Sequence, residues 1–475
     1  MALVKKLVLT LVTIPSSAVG VYKLWSPNVS SEPDFKFLTE GMEMTQVQED
    51  AYDIHRQTIE AESAGTLAHQ SQEIDWQEQK RLNREIAEKA FKKLDDYSFR
   101  IFWSCGIGTG WILDYEIPER ADKYPTTWYI ATAAHVINGY KFAENPYKQS
   151  LPSSVEETQR LRRKLAHRVN SYLPWYSRLS LWDHNTTTCD VSNKYGYSDL
   201  NLAKSSNGAE LKAEYGGWLN GRMEEPKLFY AAFDLFEENP ELGIRANNYK
   251  DFAVLEIKFK EEDYARRITN NFADHYRVES TDAINVFADP LDVRYDTEKI
   301  QQLEENFFEL GYPKGNKGKF EQSRGWDEER EEGYKLLNDH SGLHHDTNQQ
   351  KIRGFADGNK GIYKVEWNGT RRNDVGHFHL LGINKKYRLE GGASGSLFTD
   401  KDGNLLGIHG GGGGSSSTIV PLRGKERRGD HVIKSPKFDL LLGATGQKSS
   451  YREQVETYKK NTWLKARGWA HKAKN

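Results

Sequence analysis

Three short segments carry side chains that together could split an acyl bond. They are Ala131-Thr132-Ala133-Ala134-His135-Val136, Asp251-Phe252-Ala253-Val254-Leu255 and Gly391-Gly392-Ala393-Ser394-Gly395-Ser396. A serine hydroxyl is a weak nucleophile near neutral pH and needs a base within hydrogen-bond reach. The His135 imidazole can be that base for Ser394, and Asp251 beneath it would fix the tautomer and stabilise the imidazolium that forms. Gly391, Gly392 and Gly395 permit a tight turn in which the N–H groups of Gly392 and Ser394 converge on a developing oxyanion. Ser396 is a second hydroxyl nearby. Because position 396 is serine, the Gly-x-Ser-x-Gly elbow of α/β-hydrolases is absent.

The order His, Asp, Ser is that of chymotrypsin-type serine proteases, not of subtilisins or α/β-hydrolases. Each segment sits where an extended apolar run meets a turn, so the expected fold is mainly β, a chymotrypsin-like double β-barrel with long insertions. Strands are expected at Phe99–Trp103 and Trp111–Leu113 with Gly106–Gly110 between them, and at Thr126–Thr132 leading into His135. Further strands are expected at Lys227–Phe233, Asp251–Phe259, Gly361–Trp367 and His377–Leu381. Leu397-Phe398 and Leu405–Ile408 flank the hairpin signal Asp402-Gly403. Residues 140–225 read as an irregular polar insertion with a helix at 154–172, and 313–360 as a second polar excursion open to nicking by proteases. The run Gly410–Gly414 with Ser415–Ser417 is low in complexity and reads as mobile unless something orders it.

Outside this core, residues 40–96 contain no Pro and show mixed three- and four-residue apolar steps at Ile74, Leu82, Ile86, Ala90, Phe91 and Leu94, the pattern of an amphipathic helical stalk. The protease-like domain would span 97–450, and 451–475 would be a basic C-terminal helix bearing Trp463 and Trp469. Residues 1–25, with Lys5-Lys6 before an apolar run, read as a signal peptide or a membrane anchor. The chain has 475 residues, 37% hydrophobic and 28% charged, with 24 Tyr, 20 Phe and 12 Trp, so aromatic rings must supply much of the buried area. A net charge of −2 gives no reason to expect nucleic acid as a partner. Two cysteines, Cys105 and Cys189, exclude a disulfide framework and leave open one bridge or two free thiols. His340, His344, His345 and Asp346 have metal-like spacing without a Cys pair or a His-Glu-x-x-His, so neither a metal nor a cofactor is expected; His377 and His379 read as packing residues.

The run from Gly392 through Ser394 and Ser396 to Leu406-Gly407-Ile408-His409-Gly410 is similar to the end of bacterial glutamyl endopeptidases. A broader likeness is to the mollicute immunoglobulin-cleaving serine proteases. It is carried by Gly108-Thr109-Gly110-Trp111-Ile112-Leu113-Asp114-Tyr115, by Lys123-Tyr124-Pro125-Thr126-Thr127-Trp128-Tyr129 up to His135, by Asp251–Glu256, by Gly311-Tyr312-Pro313 and by Phe438-Asp439-Leu440. This resemblance implies an endopeptidase on the outer face of the membrane, or secreted, that cuts host immunoglobulin heavy chain presented by a separate antibody-binding protein. The glutamyl endopeptidase likeness implies that His409, next to Gly410, lines the pocket for the residue preceding the cut; a trypsin-like register would point Arg388 toward the floor of that pocket, and the two together would favour an acidic side chain there. The competing expectation is a catalytically silent binding protein, an adhesin or antibody-capturing module, on the same scaffold.

Overall fold

The computed structural model describes residues 76–103, 106–160, 200–204, 209–212, 222–294, 307–312, 352–357, 365–382, 391–413, 416–429 and 434–472. The signal or anchor segment, Arg388, both cysteines and the His340 cluster lie outside the described residues. No helix among the described residues is long and apolar enough to cross a membrane.

The described chain opens with a helix, Trp76–Tyr97. Ala87, Phe91 and Leu94 recur on one face and are buried, with the Phe91 ring edge-on to Phe308 at 5.6 Å. The helix therefore packs on the β core along one face. Its last carbonyls are capped from another strand: buried Lys204 donates Nζ to the carbonyls of Asp95, of Asp96 at 3.0 Å and of Ser98 at 3.1 Å. Burial lowers the Lys204 pKa to about 8, with Asp95 and Asp96 opposing that fall.

Two sheets follow, and the molecule is mainly β as the sequence indicates. The first is built from β1 (Ser98–Trp103), β2 (Gly106–Tyr115), β3 (Thr127–Thr132), β4 (Asn201–Lys204), β5 (Ala209–Lys212), β6 (Lys227–Phe233) and β7 (Asn248–Lys258). Next in the chain come β8 (Phe307–Leu310), β9 (Ile352–Asp357), the small hairpin of β10 (Glu366–Trp367) and β11 (Thr370–Arg371), β12 (Asn373–Asp374) and β13 (His377–Gly382). The remainder is β14 (Leu397–Asp400), β15 (Leu405–Gly413), β16 (Ser416–Val420) and the pair β17 (Arg423–Gly424) and β18 (Phe438–Asp439). The eight-stranded sheet runs β12-β7-β3-β2-β1-β4-β5 with β6 also on β7, and the six-stranded sheet runs β8-β14-β15-β16-β13-β9. β7 is buried at ten consecutive positions, the mark of a strand covered on both faces.

Several segments differ from the sequence reading, each for a local reason. β2 begins at Gly106, not Trp111, because Gly106–Gly110 pair in register with β1. The 140–225 insertion is not irregular throughout: β4 and β5 extend the first sheet from β1. In the 313–360 stretch, 352–357 form the edge strand β9 on β13. Only Glu366–Trp367 of the strand expected at 361–367 is strand among the described residues. The glycine run is ordered rather than mobile through Gly413, since pairing with β16 uses main-chain groups and needs no side chains. The tail is not one helix but two, Tyr451–Thr457 and Trp463–Ala466, broken where Lys459 takes φ 51. Both dock on the first sheet: the buried Asp114 carboxylate accepts from Tyr451 Oη at 3.1 Å and from the Leu464 N–H at 2.9 Å. Burial, against these bonds, raises the Asp114 pKa to about 7.

Candidate active site

β3 leads to the candidate base, His135. It ends at Thr132, and the chain turns through a short 3-10 segment, Ala134–Ile137, that carries His135. β7 lies antiparallel to β3 with Thr132 opposite Ala253, which places Asp251 just beyond the paired residues. Its fully buried carboxylate grips His135 twice: Oδ2 lies 2.6 Å from ring Nδ1, and Oδ1 accepts from the His135 main-chain N–H at 2.9 Å. A carboxylate accepting at both points fixes ring orientation and tautomer together, leaving Nε2 as the ring nitrogen that can take a proton. Burial opposes protonation of His135, but the charge and hydrogen bond of Asp251 more than offset it, so its pKa lies above the ordinary histidine value. The His135 side chain remains about a quarter exposed, at 25%.

Ser394 lies on the turn that enters β14 of the second sheet. Gly392 and Gly395 flank it at φ 107 and φ 90, a region that only glycine enters cheaply. A Cβ at Gly395 would stand 2.3 Å from the Thr109 carbonyl oxygen, 2.5 Å from Thr132 Oγ1 and 2.9 Å from the Ala133 nitrogen. The Ser394 turn therefore abuts the main chain two to three residues before His135. Ser394 is half-buried and its carbonyl accepts from the Thr109 N–H at 2.8 Å. The Ala393 carbonyl accepts from the Ser396 N–H at 3.0 Å, so the trans peptide aims the Ser394 N–H the opposite way.

The structure thus brings His135, Asp251, Gly392 and Ser394 to one place at the junction of the two sheets. His409 and Gly410 lie beside them on β15. The His409 carbonyl accepts from the Gly395 N–H at 2.7 Å, its N–H donates to the Ser396 carbonyl at 2.9 Å, and Gly410 sits in the bulge that follows. The His409 side chain is buried, however, with Nδ1 2.6 Å from Glu309 Oε1, the oxygen that also accepts from Ser396 Oγ at 2.7 Å. Ser396 is accordingly fully buried and committed to Glu309.

Sequence reasoning missed Thr109, Thr132 and Glu309. The signals were a polar residue inside Gly106–Gly110 and a lone carboxylate in Phe307-Phe308-Glu309-Leu310. His377 and His379 are buried on β13, their rings 5.2 Å apart. Among the described residues no three His, Cys, Asp or Glu side chains group so as to hold a metal ion.

A model of the family described as mycoplasma immunoglobulin protease matches residues 68–411. No curated protein matches by sequence. Among solved structures, the chain is similar to one described as the mycoplasma MIB and MIP proteins, with 17% identity and a TM-score of 0.41 over 78% of this chain and 61% of that one. It thus spans less than two thirds of that relative's length. It is also similar to an inactive serine-to-alanine mutant of Rv3671c from M. tuberculosis H37Rv, at 10% identity and a TM-score of 0.27 over 70% of this chain and 84% of that one. Deg5 matches at 12% identity with a TM-score of 0.27, over 71% of this chain and 88% of that one.

Proposed function

The chain belongs to the mycoplasma immunoglobulin protease family, and from that premise we propose that it is a serine endopeptidase with His135, Asp251 and Ser394 as its triad. The observation that carries this reading is the double grip of Asp251 on His135, set against a glycine turn that holds Ser394. In the proposed reaction, His135 Nε2 takes the Ser394 Oγ proton as Oγ bonds to the scissile carbonyl carbon. The electron pair of the C=O bond moves to oxygen, where the N–H groups of Gly392 and Ser394 stabilise it. His135 then returns the proton to the leaving amine as the C–N bond breaks. Water repeats the sequence on the acyl-enzyme, with His135 again the base. No step calls for a metal or cofactor.

The proposed substrate is host immunoglobulin heavy chain, presented by a separate antibody-binding protein, with the protease on the outer face of the membrane or secreted. The family's description and the resemblance of the sequence motifs support this reading. The same reading gives the pocket for the residue before the cut to His409, Gly410 and Arg388. Glu309 bears on it directly, since its carboxylate already stands beside His409 and competes with any acidic substrate side chain.

Fluorophosphonate labelling followed by peptide mapping tests the proposal. The wild-type protein should be labelled on Ser394 and should cleave immunoglobulin. Ser394→Ala should lose both, with turnover down about 10⁴- to 10⁶-fold and the fold intact. Labelling elsewhere, or none in a folded protein, would overturn the triad and favour a silent binding module.

A further inference from the structure

Thr109 makes two hydrogen bonds to the nucleophile turn, and it belongs to the other sheet. It lies on β2 and is fully buried. Its main-chain N–H donates to the Ser394 carbonyl at 2.8 Å. Its Oγ1 donates to the Gly392 carbonyl at 3.1 Å. Its own carbonyl accepts from Thr132 Oγ1 at 2.8 Å, three residues before His135.

The direction of the hydroxyl hydrogen is set as well. Thr109 Oγ1 accepts the Tyr312 N–H at 3.0 Å, so its own hydrogen is free to point only at the remaining acceptor, the Gly392 carbonyl. A relay therefore runs from Tyr312 N–H through the Thr109 hydroxyl to Gly392. Gly392 needs such a restraint. A glycine at φ 107 has no Cβ to hold it, and rotation about its two soft torsions would swing its N–H away from the substrate carbonyl. Pinning the carbonyl side of Gly392 holds one of those torsions. The Ala393–Ser396 turn bond independently fixes the neighbouring Ser394 N–H.

We propose that Thr109 is a positioning residue for the oxyanion site, acting through its side-chain hydroxyl on Gly392 and through its main chain on Ser394. It touches neither substrate nor reacting atoms. The inference rests on the serine-endopeptidase reading above and adds to it a specific cause for the ordered turn. A threonine suits the task because its methyl restricts χ1, and only a hydroxyl can accept from Tyr312 while donating to Gly392.

The test compares Thr109→Val, which keeps the shape and loses the donor, with Thr109→Ser, which keeps the donor. The readouts are kcat and KM on a cleaved peptide and the affinity of a peptide boronate that mimics the tetrahedral intermediate. Thr109→Val should lower kcat about 10- to 100-fold with KM within about twofold, because a preorganised donor matters where charge develops. Boronate affinity should fall by the same factor, and Thr109→Ser should recover kcat to within about threefold. A kcat for Thr109→Val within twofold of wild type, or a loss confined to KM, or a fall in kcat with boronate affinity unchanged, would overturn the inference. Should Thr109→Val not fold, Thr109→Cys decides instead. Its thiol fills the space but donates weakly, so kcat should fall at least about threefold with KM unchanged, and wild-type kcat would refute the role. Ser394→Ala in the same assay keeps the two proposals apart. Activity in Ser394→Ala sinks the triad, whereas a dead Ser394→Ala beside a fully active Thr109→Val sinks only the role of Thr109.

Discussion

Replacing Asp251 by asparagine changes one atom and should remove nearly all activity. The carboxylate accepts twice, from His135 Nδ1 at 2.6 Å and from the His135 main-chain N–H at 2.9 Å. An amide of the same shape has one acceptor and one donor. If its oxygen takes the ring N–H, its NH2 faces the main-chain N–H, and two buried donors are opposed at a cost of about 1–3 kcal/mol. If its oxygen keeps the main-chain N–H, its NH2 donates to Nδ1 and the ring proton must move to Nε2. The second arrangement satisfies every group, so it wins, and it places a proton where the base should be bare. We predict a loss in kcat of about 10⁴-fold near neutral pH, with a matching fall in fluorophosphonate labelling and little change in unfolding midpoint. The pH profile carries independent information. As the proposed base, His135 must be neutral to act, and the charge and hydrogen bond of Asp251 outweigh burial to hold its pKa above the ordinary value of 6.5. The acid limb of wild-type kcat/KM should therefore lie above pH 6.5, and the residual activity of Asp251→Asn should have its limb at lower pH because the carboxylate's charge is gone. A variant within tenfold of wild-type turnover, or an acid limb that does not move, would refute the reasoning.

Two further outcomes follow from buried histidines. His379 is fully buried, and burial with the charges of Arg427 and Lys250 lowers its pKa from 6.5 to about 3. The unfolded chain takes this proton below about pH 6.5 and the folded chain does not until about pH 3, so the stabilisation is complete above 6.5 and is lost as pH falls toward 3. Denaturant midpoints measured from pH 7.5 to 4.5 should fall less steeply in His379→Phe than in wild type, and parallel slopes would count against it. For substrate choice, His409→Ala should change the distribution of residues found before the cut in a peptide library, and an unaltered distribution would remove His409 from that pocket.

How far the sequence reaches depends on the range of the signal. His135 and Asp251 meet because each sits at the end of a long apolar run, and two such runs pair as adjacent strands. The mainly β character is legible for the same reason. Thr109 was invisible in its role because its partner Gly392 lies 283 residues away, and nothing local distinguishes it from any other strand threonine. Glu309 was passed over likewise, although its carboxylate organises both Ser396 and His409. The glycine run misled in the opposite sense. Composition speaks of side-chain freedom, while β15 is held by main-chain bonds to β16 and by close backbone approach: a Cβ at Gly407 would stand 2.5 Å from the Val420 carbonyl oxygen. Four-residue strands such as β4 and β5 carry too few alternating positions to show a period, and they gain order only by pairing at the edge of a sheet.

The residue before Asp251 explains how one strand can serve two sheets. Successive side chains on a strand point to opposite faces. Asp251 turns toward His135, so Lys250 turns away, and it is fully buried. Its ammonium donates to the Val375 carbonyl at 2.6 Å and the His377 carbonyl at 2.9 Å, and lies 4.6 Å from the Phe378 ring centroid. Those acceptors lead into β13 of the second sheet, while β12 just before them pairs with β7 itself. The carboxylate that orients the proposed base is therefore adjacent in sequence to the ammonium that fastens β7 to the far sheet. On the other side of the junction, Thr109 fastens β2 to the Ser394 turn. The proposed base and nucleophile sit on different sheets, and a shift of one sheet against the other would have to break one of these two buried polar links. Their relative position is thus set by the fold before any substrate binds, which is what catalysis by preorganised dipoles requires.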